Sequence, residues 1–262
     1  MNFYKITNEK ENHKGLQYET GLNVDPLPWN PMGDCEPGGI YFSREDILAF
    51  INYGPWIRKV TIQEGIEVYE NPSKPKKWKA HEVILGKRKK ISTNVIRDLF
   101  KQGADINAND GVAIRWASAN NRLKITKLLI KHGADVHAVD DSALRSASRM
   151  GYLEIVKLLL KHGANVHSQS NYALRLASKN GHLAVVRLLI EYGANIHTMD
   201  NCALRWASAS GCLEVVSILI KHGANILAQN NYALRHASEN GHTEIVKLLN
   251  DCLKKEKNKN EK

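Results

Sequence analysis

The sequence lacks the segments that would place a protein in or across a membrane. It has no apolar run of eighteen residues, and its first residues, MNFYKITNEKENHKG, contain no apolar stretch of the kind that a secretory signal requires. Both absences argue against a transmembrane or a secreted protein. We therefore expect an intracellular protein that does not contact a membrane.

Cysteine is scarce, and its spacing indicates no particular chemistry. The four cysteines, Cys35, Cys202, Cys212 and Cys252, form no CxxC pair, so the spacing predicts neither a zinc site nor a disulfide framework. In a chain without a signal we expect free thiols in a reducing compartment.

Positive charge is in excess but is not concentrated in one nucleic-acid-binding arm. The net charge is +10, and the basic runs are KPKKWK (74–79), KRKK (87–90) and the tail KKEKNKNEK (254–262). Short lysine runs are common on surfaces, so we expect a solvated linker and, at 254–262, a basic disordered tail. A role in binding polyanions or in nuclear import is the alternative for these runs. We do not expect nucleic-acid binding.

What the sequence does have is an internal repeat of 30 residues. The phrase Gly-Ala-Asp/Asn begins at Gly103, Gly133, Gly163, Gly193 and Gly223, and the phrases AIRWAS, ALRSAS, ALRLAS, ALRWAS and ALRHAS keep the same step. Each unit is typical of two helices. The inner helix presents Ala143, Leu144 and Ala147 on one face, and the outer helix runs over Leu153–His162. The glycine of Gly-Ala-Asp/Asn is expected to cap the outer helix in a left-handed conformation.

This order of phrases resembles the ankyrin repeat. The resemblance implies an all-α solenoid of helix-turn-helix repeats over residues 91–253. We divide it into a half repeat (92–108), full repeats (109–138, 139–168, 169–198 and 199–228) and a closing repeat (229–253). The closing unit has polar Asn250 and Asp251 on its last helix, as a capping repeat needs, so we expect the array to end near residue 253. Ankyrin units usually have about 33 residues, and the shorter period predicts short fingers.

One arginine per unit replaces the histidine of the ankyrin pattern, at Arg115, Arg145, Arg175, Arg205 and Arg235. Identity in every unit favours a structural Arg ladder, in which each guanidinium bonds loop carbonyls or the nearby Asp110, Asp140 or Asp200. The alternative is a basic stripe that receives an acidic peptide or a phosphate backbone.

Positions that vary within the constant scaffold are candidates for partner recognition. The resemblance to ankyrins places the pair that closes each inner helix in the concave groove, and Trp and Arg are common anchors of interfaces. Our candidate partner-binding residues are Trp116, Asn120, Arg149, Met150, Lys179, Asn180, Trp206, Ser210, His236 and Glu239. Filling of space between repeats is the alternative role for Trp116 and Trp206.

The recurring histidines do not predict a metal site. His132, His137, His162, His167, His197 and His222 lie at helix ends and loops, without a recurring Cys or carboxylate to complete a ligand set. We expect no metal and no cofactor.

Residues 1–90 do not repeat, and we predict a small α+β N-terminal domain. Ser43 is the expected N-cap of a helix over Ile47–Tyr53, and the strand-like runs are Phe3–Ile6, Gly39–Phe42, Trp56–Ile62, Glu67–Tyr69 and Glu82–Leu85. FYKIT, GLNVDPLPWNP, CEPGGIYF and WKAHEVILG, in front of such repeats, resemble the N-terminal region of giant-virus (Mimivirus-type) ankyrin proteins. That resemblance implies a viral protein in the cytoplasm of a host cell.

These observations together predict a monomeric, non-enzymatic scaffold that binds a host or viral protein through its concave helical face. An enzymatic alternative rests on a loose resemblance of the N-terminal region to ADP-ribosyltransferase-like domains. It would place Tyr4 and Tyr41 in a nicotinamide pocket, with Glu82 polarising the ribose. The repeats would then select the target of this effector enzyme.

Overall fold

The computed structural model describes residues 2–13, 15–30 and 38–260, without the side chains of 256–260. The chain forms two compact units. The first comprises Met1–Ala117 and Lys124–Asp135, and the second comprises Ser118–Leu123 and Val136–Lys262. Cys35 and the last two residues of the predicted tail lie outside the described residues.

The first unit is built on antiparallel strands. In sequence order they are β1 Phe3–Thr7, β2 Asn12–His13, β3 Leu16–Gln17, β4 Gly21–Val24, β5 Ile40–Phe42, β6 Trp56–Thr61, β7 Val68–Asn71, β8 Lys77–Ala80, β9 Glu82–Leu85 and β10 Lys89–Lys90. One sheet has the order β1-β6-β9-β4, with β10 also on β6, a second has the order β5-β8-β7, and β2 pairs with β3. All five predicted strands are present within one or two residues of their predicted limits.

Residues from both larger sheets share one core. Phe42 and Trp78 from one sheet pack with Val60 and Leu85 from the other, and Phe3 packs against them. The Phe3 ring lies edge-on to Phe42, with 5.0 Å between the ring centroids. Alternation along short strands supplies these residues, because every second side chain points to the same face.

Two predictions for this unit are wrong. The helix is a 3₁₀ helix, Glu45–Tyr53, and Ser43 does not cap it. Ser43 instead bridges to Tyr4 through its backbone and donates its hydroxyl to the Lys76 carbonyl at 2.7 Å. The run KPKKWK is not a solvated linker, because it includes the first three residues of β8, the central strand of its sheet, in which Lys79 is fully buried.

The α-helices begin after β10. No strand is present in the described residues 91–260. The helices are α1 Thr93–Lys101, α2 Ala108–Ala119, α3 Leu123–Lys131, α4 Ala138–Arg149, α5 Leu153–Lys161, α6 Ser168–Lys179, α7 Leu183–Glu191, α8 Thr198–Ala209, α9 Leu213–Lys221, α10 Ala228–Glu239 and α11 Thr243–Asn260. Even-numbered helices are the inner ones and odd-numbered helices the outer ones. The repeated helix pairs confirm the predicted fold class.

The second unit buries small and branched residues from each helix pair. Ala143, Leu144 and Ala147 of α4 and Val156 and Leu159 of α5 are each at most 1% exposed. The glycines that follow the outer helices have φ between 82° and 92°. At these five positions a Cβ would meet nothing within 4 Å, so the left-handed backbone alone explains the preference for glycine.

The predicted disordered tail differs from the structure in one respect. Helix α11 continues to Asn260, so residues 254–260 are helical. This stretch contains neither glycine nor proline, and lysine and glutamate have good helix propensity, so nothing in it ends the helix.

Candidate functional site

The range of each inner helix includes, near its start, three consecutive residues in the left-handed conformation, and the right-handed helix begins after them. They lie where the sequence predicts a short ankyrin-like finger. In the second full repeat these residues are Val139, Asp140 and Asp141, with φ of 52° to 55°. The corresponding triplets begin at Asn109, Gln169, Met199 and Gln229. A left-handed conformation costs an L-residue roughly 1–2 kcal/mol, so a full turn of such residues requires compensating interactions.

The repeated arginines supply two of those interactions in every unit. The Arg145 Nε donates to the Asp140 carbonyl at 3.0 Å, and its Nη2 donates to the Val139 carbonyl at 2.8 Å. The other four arginines make the same pair of bonds to their own triplets, at 2.9 to 3.4 Å. The acceptors are therefore backbone carbonyls, including that of Asp140, rather than its carboxylate. A planar guanidinium spans two neighbouring carbonyls. We call this arrangement the arginine clamp.

The last residue of the triplet connects one repeat to the next. Oδ1 of Asn171 accepts from the backbone N–H of Asn195 at 2.8 Å, and Asp141 and Asn201 make the equivalent bond in their repeats. In the first full repeat Gly111 has no side chain, and Oδ1 of Asn107 accepts from Asp135 N–H instead, at 2.9 Å. The bond is thus kept although its acceptor comes from another position.

Aromatic rings alternate with the cationic groups along the inner helices of the second unit. The Arg175 guanidinium lies 4.6 Å from the centroid of the Tyr172 ring and 5.4 Å from that of Trp206, and Lys179 Nζ also lies over Trp206 at 5.6 Å. Farther along, Arg205 lies over Tyr232 at 4.9 Å. Cation–π contacts of this kind fix the orientation of the rings and of the long cationic side chains.

A polar groove of about 440 Å³ lies between α4 and α6. We call it the α4–α6 groove, and its lining residues are Ser142, Arg145, Ser146, Arg149, Tyr172, Leu176, Lys179 and Asn180. Three of them carry a positive charge, and no described lining residue is acidic. Arg149, Lys179 and Asn180 are exposed at the ends of their helices. The groove therefore presents the cations of Arg149 and Lys179 to solvent, over a half-buried floor of Ser142, Arg145, Ser146, Tyr172 and Leu176.

The predicted partner-binding residues are only partly brought together. Arg149, Lys179 and Asn180 line the α4–α6 groove, and Trp206 touches it through Lys179. His236 and Glu239 interact with each other on α10, with 2.8 Å between Nδ1 and Oε2. Trp116 belongs to the first unit and is half-buried, like Trp206, whereas Asn120, Met150 and Ser210 are exposed outside the groove lining.

Sequence reasoning missed Ser142 and Tyr172 as groove residues. The signal was present, because Tyr172 occupies a position that is Val, Ser, Tyr, Cys and Tyr in successive units. Arg145 was assigned only to the ladder, although it also lines the groove. Arg145 thus binds its clamp carbonyls and also forms part of the groove lining.

The first unit contains a separate cavity of about 220 Å³. Tyr4 and Tyr41 line it, as the enzymatic alternative required, but Glu82 is not among its lining residues. Glu82 lies instead on β9, paired with Val24 of β4. The constellation that motivated the transferase hypothesis is therefore not assembled.

The described part of the chain lacks two further features. No group of three His, Cys, Asp or Glu side chains there is placed to hold a metal ion. No helix there is long and apolar enough to cross a membrane.

Comparison with known families identifies the repeats. The family model described as Ankyrin repeats (3 copies) matches residues 87–170 and 168–230. The chain belongs to the ankyrin-repeat family. Ankyrin repeats generally serve as protein-interaction modules.

Three similar proteins come from one virus. An ankyrin repeat protein of Acanthamoeba polyphaga mimivirus is 34% identical over 140 residues, covering 48% of this chain and 46% of the relative. An uncharacterized protein of the same virus is 32% identical over 138 residues, covering 48% of this chain and 96% of the relative. A further ankyrin repeat protein is 31% identical over 138 residues, with 48% and 65% covered. The chain thus spans about half the length of the first ankyrin relative. These matches confirm the resemblance to Mimivirus-type ankyrin proteins.

Proposed function

We propose that this ankyrin protein is a non-enzymatic scaffold whose α4–α6 groove binds an acidic, extended segment of a partner protein. The observation that carries the proposal is the groove itself, in which Arg149 and Lys179 are exposed and Arg145 is half-buried, without an acidic residue in the described lining. Complementary charge at such a surface gives specificity and speeds association.

The rigidity of the groove floor supports the proposal. Arg145 and Arg175 are each held by two carbonyl bonds at the start of the helices that form the groove walls. Tyr172 lies between them, 5.9 Å and 4.6 Å from the two guanidinium groups. A surface that is ordered before binding loses less conformational entropy when the partner arrives.

The proposed test uses a fluorescein-labelled peptide of ten glutamates and the full chain. Fluorescence anisotropy at low ionic strength measures its affinity for the wild type and for the double variant Arg149→Glu/Lys179→Glu. Because two attractive contacts become repulsive, we expect affinity to fall about tenfold or more.

The matched control is Lys157→Glu/Arg187→Glu. It changes the same residue types in the same two repeats, but at exposed positions on the outer helices α5 and α7. We expect it to retain affinity within about threefold, through long-range charge alone. Equal losses in both double variants would overturn the proposed groove, because they would indicate attraction by net charge.

The proposal also covers the identity of the partner, the role of the first ninety residues and the cellular compartment. We infer that the partner is a host or viral protein, that the first ninety residues supply a second contact, and that the protein acts as a monomer in the cytoplasm of a host cell. The viral relatives support this setting. We further propose that the Arg ladder is structural, supported by two backbone acceptors at each of its five members.

A further inference from the structure

The cavity in the first unit is bordered by aromatic side chains. It follows β1 from Tyr4 to Thr7 and the next residue, Asn8. Its other described lining residues are Asn12, His13, Tyr18, Tyr41, Phe42, Ser43, Ile47, Phe50, Tyr53 and Lys77. Tyrosine and phenylalanine thus contribute much of the border, from β1, β5, the 3₁₀ helix and the segment after β3. At about 220 Å³ it is smaller than the roughly 300–1,000 Å³ typical of sites for drug-sized ligands, so its size suits a ligand with a single ring.

Lys5 is a buried cation in this border. It is 9% exposed. Within the described part of the chain its ammonium donates one hydrogen bond, to the Tyr41 carbonyl at 2.8 Å, and it lies 4.6 Å from the centroid of the Tyr18 ring. An ammonium has three N–H donors, and a buried charge is costly unless it is paired. Among the described residues no carboxylate forms an ion pair with Lys5.

The surrounding charges favour an anion. Lys5 and Lys77 are cationic, and no Asp or Glu is among the described lining residues. The acidic group that acts on Lys5 from outside the lining is Asp25, whose carboxylate oxygens already accept from the backbone N–H groups of Leu27 at 2.9 Å and Gly39 at 2.8 Å. A bound carboxylate would supply the missing counter-charge directly.

We propose that this cavity binds a small aromatic acid, with the ring against the tyrosine and phenylalanine side chains and the carboxylate accepting hydrogen bonds from the Lys5 ammonium. The site is independent of the α4–α6 groove, because its lining belongs wholly to the first unit. It gives the N-terminal region a ligand-binding role besides any contact with a partner protein.

Isothermal titration calorimetry of the full chain with three probes tests the ligand class. Benzoate carries both the ring and the charge, benzyl alcohol keeps the ring without the charge, and cyclohexanecarboxylate keeps the charge without the aromatic ring. We expect saturable benzoate binding. Benzyl alcohol should bind at least about tenfold more weakly, because it cannot accept a hydrogen bond from the Lys5 ammonium as a charged group. Cyclohexanecarboxylate should also bind more weakly, because it lacks the aromatic contacts with the tyrosine and phenylalanine rings. Equal binding of benzoate and benzyl alcohol, or no benzoate binding at millimolar concentration, would overturn the proposal.

Substitution of the lysine tests its role. Lys5→Met should weaken benzoate binding about tenfold or more, whereas Lys59→Met, at an exposed position on the neighbouring β6, should leave it unchanged. Unchanged benzoate binding by a folded Lys5→Met chain would contradict the assignment.

The pH dependence of the wild-type chain provides a readout that does not require a variant to fold. Burial lowers the pKa of Lys5 to about 8, so the ammonium is present at pH 7 and largely lost at pH 9. Benzoate affinity should therefore fall about tenfold between these values, and benzyl alcohol affinity should stay constant. The other charged and titratable groups at the site are Asp25, His13, Lys77, Tyr4, Tyr18, Tyr41 and Tyr53. A benzoate affinity that is flat over this range would overturn the role of Lys5.

Discussion

In the repeat array, the same few bonds recur at every step, whereas in the first ninety residues the buried charged groups have partners that differ from one group to the next. Five arginines clamp five left-handed turns in one way. By contrast, Glu11 has one elaborate set of partners. Two hydrogen bonds from Arg58, each of 2.8 Å, are joined by one from Thr7 and one from Arg88.

This difference determines what a single substitution can do. A repeated bond is one of several equivalent bonds, so its loss affects one step of a stack in which stability is spread over units and their interfaces. A unique buried ion pair has no equivalent, and removing one partner leaves the other charged and buried. We therefore expect the largest effects in the first unit.

The largest expected effect is that of Glu11→Gln. The Arg58 and Glu11 side chains are 4% and 6% exposed, so the variant leaves a buried guanidinium without its counter-charge. We expect a loss of about 3–5 kcal/mol in the free energy of unfolding of the first unit, measured by urea denaturation. Glu9→Gln, at an exposed position in the same segment, is the control. A loss as small as that of the control would remove the contrast between the regions.

An intermediate effect is expected for Arg175→Met, which removes both clamp bonds of a buried arginine. We predict a loss of about 2–3 kcal/mol, measured by thermal denaturation. Arg175→Lys should recover little of it, because an ammonium lacks the planar fork that spans two carbonyls. Arg235→Met should cost less, since Arg235 is exposed and its Nη2 bond is 3.4 Å long. An unchanged melt together with weaker binding of decaglutamate would instead favour the basic-stripe interpretation.

Two substitutions of Asn171 distinguish the free-energy cost of the left-handed backbone from the cost of losing the side-chain hydrogen bond between repeats. The φ of Asn171 is 55°, and its Oδ1 accepts from Asn195 N–H. Asn171→Gly loses this bond together with the Nδ2 bond to Thr198 Oγ1 and the Oδ1 contact with His167 Nδ1. Asn171→Ala loses the same contacts and must also adopt an unfavourable φ, which costs roughly 1–2 kcal/mol more. Urea denaturation of both variants measures the difference. Equal losses would show that the left-handed conformation adds no cost here.

The smallest effect is expected from titration of Glu11. Hydrogen bonds from Arg58 lower the pKa of Glu11, so its contribution to stability is fully present above the unfolded pKa of about 4.3. It is lost as pH falls through the lower folded pKa. Glu11→Gln should therefore flatten the acid side of the stability curve of the first unit, measured by urea denaturation between pH 3 and pH 6. A parallel curve in the variant would assign the acid sensitivity to other groups.

The repeat array could be predicted well because each 30-residue period of the sequence corresponds to one helix pair of the structure. Ala143 and Leu144 recur as a phrase, and both are buried in the expected face. The left-handed triplets were not predicted, because residues such as Val139 and Met199 do not favour that conformation by themselves. The clamp from an arginine six residues later compensates for them, and propensity at one position does not contain that information.

Prediction was weaker in the first ninety residues for a related reason. Lysine has a strong surface preference, yet Lys79 is fully buried, with its Nζ donating to the Asn30 carbonyl at 2.6 Å. That acceptor is far away in the sequence, so no local pattern indicates it. The same holds for Lys5 and Tyr41, whose contact depends on how β1 and β5 are placed.

Binding of an acidic segment in the α4–α6 groove is the central proposal. Hydrogen–deuterium exchange in the presence of the decaglutamate peptide tests it most directly. At saturating peptide, we expect slower amide exchange in the segments 142–149 and 172–180, which form the groove, because bound peptide reduces local opening and solvent access there. Exchange in the outer helices α5 and α7 should be unchanged. Protection confined to the outer helices, or no protection at saturation, would contradict the account.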